Sequence, residues 1–193
     1  TLLVACNDKG YIEDGDVKVP NNAISFSTLD VQASRAVETT TSTLNKDGNS
    51  ISVTAIQHID KWSGGEFNTP TTIMNNVKVT YNGGSWSYSP VVYWPETSNE
   101  YISFYSYAPF NSEIGNVNKS LSVTDNGSMI FSMTRDGANP INEDVLYAIA
   151  RNENYANTGN SSVSFVFNHA LAKLNFAMRL SSDIETEDVK VNS

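Results

Sequence analysis

The sequence predicts an all-β fold, built as an antiparallel sandwich or barrel. Three observations carry this reading. Short runs of alternating apolar and polar residues recur along the chain, separated by turn signals. Asn, Ser and Thr are abundant while only 17% of residues are charged, a balance that suits strands and turns better than solvent-facing helices rich in Glu and Lys. No stretch carries the apolar period of a helix of ordinary length. With 193 residues and 39% hydrophobic content, the chain can fill one real core.

From the N-terminal side, Ile24 and Phe26 alternate with Ser25 and Ser27 and mark a first strand with one buried face. Val31 to Asn49 is rich in Thr, Ser and Asn without an apolar period and reads as a long loop. Ile51 to Ile56 is a second strand. Gly64-Gly65 and Pro70 interrupt the next stretch, and Val77 to Tyr81 resumes the alternation. Asn82-Gly83-Gly84 is a tight-turn signal that joins this run to Trp86-Ser87-Tyr88 as a hairpin. Two further runs come next, Val91 to Pro95 and Tyr101 to Pro109. The span from Asn111 to Gly127 is weak and polar, and shorter strands are expected at Met129 to Met133 and Val145 to Ala150. Val163, Phe165 and Phe167 alternate, as do Leu174, Phe176, Met178 and Leu180, but the two sets are one residue out of phase. A bulge or short turn at His169 to Lys173 must absorb that slip.

The first residues carry a separate signal. Thr1-Leu2-Leu3-Val4-Ala5-Cys6 resembles a bacterial lipobox, in which apolar and small residues precede a Cys that is acylated after cleavage. The sequence turns polar at Asn7 and stays so through Pro20, as a tether would. The basic start and most of the hydrophobic run of a signal peptide do not precede it, so the chain is expected to begin inside its signal. The acidic stretch 181–193 ends in a fresh alternation at Val189-Lys190-Val191, as the start of a truncated further region would. Expected organisation is therefore 1–22 signal remnant and tether, 23–180 β-domain, and 181–193 the start of a C-terminal region.

Chemistry is sparse. The formal charge of −9 argues against nucleic acid as a partner, because phosphate binding needs a basic surface. One cysteine permits neither an internal disulfide nor a cysteine-rich metal site. His58 and His169 lie in no ligand motif, and His169 reads as a structural residue at the phase slip. Glu143-Asp144 and Glu187-Asp188 are adjacent pairs, which on a strand face opposite sides. No catalytic residue, cofactor or metal is expected, and the chain reads as a non-enzyme. If Ile102 and Phe104 face the core, Tyr101, Tyr105 and Tyr107 face outward as a row able to stack on sugar rings or a protein partner. Cross-strand packing, or burial by a second layer, is the other reading of that row.

Taken together, the order of the runs resembles the fimbrillin family of bacterial lipoprotein pilus subunits. The matching segments are Ile24-Ser25-Phe26-Ser27-Thr28, Ser34-Arg35-Ala36, Tyr93-Trp94-Pro95, Ser103 to Pro109, Asp144 to Ala148, and Val163 to Leu174. The resemblance implies a Greek-key, transthyretin-like β-sandwich followed by a second β-domain. It implies export to the outer membrane and cell surface with Cys6 as the lipidated residue, cleavage by an Arg-specific protease at Arg35, and removal of the strand at 23–30. The vacated groove would accept a strand from a neighbouring fimbrial subunit. The alternative reading is a lipid-anchored surface glycan-binding module using Tyr101, Tyr105 and Tyr107.

Overall fold

A computed structural model of the chain describes residues 22–27, 30–31, 39–110, 117–135, 144–158 and 162–170. Within them the fold is all-β. The alternation around Ile24 gives β1 (Ser25–Phe26), followed by β2 (Asp30–Val31). The run at Ile51 is β3 (Ser50–Ile59), and the predicted hairpin is β4 (Asn68–Asn82) with β5 (Ser85–Ser87). Gly83 and Gly84 close that hairpin with φ of 57° and 86°, the left-handed backbone that a two-residue hairpin turn requires. The tyrosine-rich run is β6 (Glu100–Ala108). A second hairpin, β7 (Val117–Val123) and β8 (Met129–Arg135), precedes β9 (Leu146–Glu153), β10 (Ser162–Val163) and β11 (Val166–His169).

Seven strands form one sheet in the order β2-β11-β9-β6-β3-β4-β5. The hairpin β7–β8 and the pair β1–β10 are separate two-stranded units. The sheet curls: β1, the sequence neighbour of β2 at one edge, lies against β5 at the other. Both faces of the central strands are buried. On β3, Ile51, Val53 and Ala55 enter one core while Ser52, Thr54, Ile56 and His58 are buried on the opposite face. β6 divides likewise, with Ile102, Phe104 and Ala108 on the first side. That main core also takes Phe26, Trp94, Phe165 and Phe167. The second core lies under the β7–β8 hairpin and holds Ile56, Phe67, Tyr105, Tyr107 and Leu121.

Several expectations are corrected. Pairing is not wholly antiparallel: β1 runs parallel to β10, and β2 parallel to β11. The span after Val31 contains a one-turn helix, α1 (Thr41–Leu44), capped by the Thr40 side chain and anchored by buried Leu44. Pro70 does not interrupt β4: it sits at the register irregularity between the Gln57–Thr71 and Ile59–Asn68 pairs, and among the described residues β5 pairs only with Thr80 to Asn82, so no ladder donor is needed there. The run Val91 to Pro95 contributes one bridge, Tyr93 to Ala23, rather than a strand. The alternating run Val163 to Phe167 breaks between β10 and β11, where the chain passes from the β1 pair to the main sheet. The expected alternation at Leu174 to Leu180, and the expected terminal segments 1–21 and 181–193, lie outside the described residues.

Candidate functional site

The place where the sequence reading and the architecture converge is the seam of the curled sheet, closed by β1. Ile24 and Phe26 point inward there, at 2% and 5% exposure, so two residues at a very short strand sit fully in the core. The Phe26 ring stacks on Phe165 at 5.7 Å and meets Phe104 edge-on at 6.1 Å and Tyr88 at 5.6 Å. Burying both side chains contributes about 3–6 kcal/mol at 1.5–3 kcal/mol each. The apolar contacts, rather than a long ladder, hold β1.

Its backbone is fastened at intervals. Ile24 N donates to the Val92 carbonyl at 2.9 Å, and Ser27 N to the Val163 carbonyl at 3.0 Å. Asp30 N donates to the Phe165 carbonyl at 3.0 Å. The Ser25 and Ser162 hydroxyls share a hydrogen bond of 2.8 Å. The Tyr88 hydroxyl donates to the Ile24 carbonyl at 2.8 Å, and burial pushes this phenol above its ordinary pKa. It remains a neutral donor.

A second set of contacts holds the chain on either side of 32–38. Val31 N donates to Thr41 Oγ1 at 3.0 Å, and Thr39 N to Asp144 Oδ2 at 3.0 Å. The other oxygen of Asp144 pairs with His169 Nδ1 at 2.8 Å. The two flanks are thus tied to different partners: β2 to β11, and Thr39 to the start of β9. The expected cleavage residue Arg35 falls in 32–38, outside the described residues, as does the expected lipidation residue Cys6 near the N-terminus.

The predicted outward row of tyrosines is corrected. Tyr105 and Tyr107 are 0% and 1% exposed, because the β7–β8 hairpin forms a second layer over that face of β6. The Tyr105 hydroxyl donates to the Gly127 carbonyl at 3.0 Å, and Tyr107 packs against Phe131 at 5.1 Å. Tyr101 is half-buried and lies over His58 at 6.3 Å. None of the three forms a platform open to sugar rings.

His58 is equally structural. Its ring is stacked on Phe67 at 4.7 Å, with Nδ1 2.9 Å from the Asp60 carbonyl and Nε2 3.0 Å from Ser103 Oγ. Burial lowers its pKa, partly opposed by the Asp60 carbonyl. His169 serves the Asp144 clamp. Among the described residues, no group of three His, Cys, Asp or Glu is placed to hold a metal ion.

Reading the sequence missed Tyr88 and Asp144 as seam residues. Tyr88 read as the end of a hairpin strand, and Asp144 as half of an acidic pair. A tyrosine just past a tight hairpin is the one sequence signal that could have found the first.

Comparison with known proteins bears on most of the chain. Fimbrium subunit Fim1C of Phocaeicola vulgatus is 28% identical over 165 residues, covering 80% of this chain and 42% of that protein. The chain therefore spans less than half the length of this curated relative. No solved structure matches the present chain. The model of the family described as Fimbrillin-like matches residues 34–193, which include the Asp144 clamp and every strand after β2. The chain belongs to the fimbrillin-like family.

Proposed function

We propose that this chain is a structural or accessory subunit of a cell-surface fimbria. It is exported as a lipoprotein through Cys6 to the outer membrane and assembled by strand exchange after cleavage at Arg35. Its partners are other fimbrial subunits, and it performs no catalysis. The fold in this reading is completed as a Greek-key, transthyretin-like sandwich.

The observation that carries the reading is the pairing of β1 with the seam. Two buried side chains and a few hydrogen bonds hold a segment that lies at the surface of the ladder, with no strand paired beyond it among the described residues. Its departure leaves an apolar slot beside the unpaired edge of β10, which a strand of similar pattern fills. Family membership and the similarity to a fimbrium subunit support the assembly role.

Treating the intact protein with an Arg-specific protease tests it. The expected product begins at Ala36, and oligomers form on its release from the 22–31 segment. Identical assembly by Arg35→Ala would sink the processing step, and failure of the cut protein to associate with any subunit would sink strand exchange.

A further inference from the structure

Strands β6 and β9 are antiparallel neighbours, so the loop before β6 and the loop after β9 leave the sheet at the same end. Residues 94–98 of the first and 154–156 of the second line an open pocket of about 520 Å³. That volume lies within the roughly 300–1,000 Å³ usual for small-molecule sites. Both walls are held in place by the fold. Tyr155 sits on a turn closed by the Asn157 N–H, which donates to the Asn154 carbonyl at 3.1 Å and to Asn154 Oδ1 at 2.8 Å. Opposite it, the Asp60 N–H donates to the Asn99 carbonyl at 2.8 Å. The Thr97 hydroxyl donates to the Glu100 carboxylate, which also accepts from Gln57 Nε2 at 2.8 Å. Trp94 is buried and meets Phe104 edge-on at 5.8 Å. Walls fixed in this way need little ordering when a ligand binds.

The lining selects the ligand. Tyr155 keeps 44% exposure and shares an apolar wall with Pro95 and Ala156. Glu96, Ser98 and Asn154 bring a carboxylate, a hydroxyl and an amide beside it. Among the described residues no lysine or arginine lines the pocket, so no cation there pairs with a phosphate, a sulfate or a sugar carboxylate, and Glu96 repels each of them. A neutral pyranose matches what remains. Its C–H face suits the negative π face of a tyrosine ring, and its hydroxyls suit the polar groups alongside. We propose that this pocket binds an uncharged oligosaccharide, with one sugar ring stacked on Tyr155. Tyr101, Tyr105 and Tyr107, the row expected from the sequence, do not line it. The fimbrial role proposed above does not depend on this site.

An array of immobilised neutral and sialylated glycans, probed with the labelled full chain, tests the proposal. Hits should be confined to neutral glycans. Tyr155→Ala should weaken the strongest by about tenfold or more, while Tyr155→Phe, which keeps the ring, should retain it. Ala156→Trp, which fills the pocket instead of emptying it, should abolish the same hit and serves as the second variant should Tyr155→Ala fail to fold. The absence of neutral hits, full binding by Tyr155→Ala or by Ala156→Trp, or equal binding of sialylated glycans overturns the proposal. In a Cys6→Ser background without sugar, Tyr155→Cys should react with iodoacetamide as fast as the exposed control Glu66→Cys. Slow reaction would show that another part of the chain fills the pocket, and also overturns it.

Discussion

The Tyr88 hydroxyl reaches across 64 residues of sequence to donate to the Ile24 carbonyl at 2.8 Å, so one side chain pins the backbone of the first strand. Tyr88→Phe keeps the ring contact with Phe26 and removes that donor together with the longer 3.4 Å contacts of the hydroxyl to the Val92 N–H and carbonyl. It should cost about 1 kcal/mol, within the usual range of roughly 0.5–1.5 kcal/mol for a net hydrogen bond. Denaturant unfolding would read the loss as a lower midpoint with an unchanged slope. An unchanged midpoint would mean that water replaces the phenol without penalty.

Asp144 makes two bonds that a smaller side chain cannot, to Thr39 N and to His169 Nδ1. Asp144→Ala should lose about 1.5–3 kcal/mol of charge-assisted hydrogen bonding. It should also speed cutting by trypsin after Arg35 and by a Glu-specific protease after Glu38, because Thr39 is no longer held. Comparing the two proteases on a time course separates loosening of the segment from any special property of Arg35.

Burial lowers the His58 pKa below 6.5, so the unfolded chain binds this proton more readily than the folded one. By linkage, the contribution is complete above pH 6.5 and is lost as pH falls below it, until His58 protonates in the fold. Burial pushes the Glu153 carboxyl up, which acts in the opposite sense at pH above 4.5. Stability curves of the parent and His58→Gln at about pH 7.5 and 5.5 cancel Glu153. The parent should lose more stability than the variant on acidification.

Ser106 is fully buried on β6, and its hydroxyl has no hydrogen-bond partner among the described residues. An unsatisfied buried hydroxyl opposes folding by about 1–3 kcal/mol. Ser106→Ala should therefore stabilise the domain by about 1 kcal/mol, seen as a higher thermal midpoint. A fall in the midpoint would show that the hydroxyl is satisfied in solution.

Tyr105 belongs to the second core and not to the surface. Tyr105→Ala should destabilise by about 3–5 kcal/mol, as large-to-small changes of buried aromatics do. The lost packing includes the cluster of Trp62 and Arg151, whose guanidinium lies 4.2 Å over the Trp62 ring. A variant with parental stability would return the ring to the surface.

Much of the strand order was legible because alternation marks each strand, as at Ile51 to Ile56 and Val77 to Tyr81. Alternation assigns two faces to a strand without saying what covers each. That is why Tyr105 and Tyr107 read as outward: the hairpin that buries them is polar, with Lys119, Ser120 and Ser122 interleaving Leu121 and Val123. Ser52, Thr54 and Ser103 give no sign of this second layer either, since small hydroxyl residues fit a second core as well as a surface. Parallel pairing of the first strands was illegible for another reason. Strand direction depends on where the chain enters the sheet, and residues 154 to 161, between β9 and β10, carry no period that fixes it. The seam was half legible: Ile24 and Phe26 announced a buried face, and the side chains fastening them lay far off in sequence.

That distance has a kinetic side. Ser25 and its partner Ser162 are 137 residues apart, so closing the seam is among the longest loop closures in the fold. Local hairpins such as β4–β5 and β7–β8 need no such closure and form early. The first strand is then expected to be the last to dock during folding, since its partner β10 lies so far along the chain. Pulsed hydrogen exchange during refolding should find protection of the Ser27 amide lagging that of the β7–β8 hairpin. On the proposed strand exchange, a segment that arrives last into a finished slot should also be the easiest to replace, so a peptide of sequence 23–31 should compete for the slot without lowering the thermal midpoint of the rest.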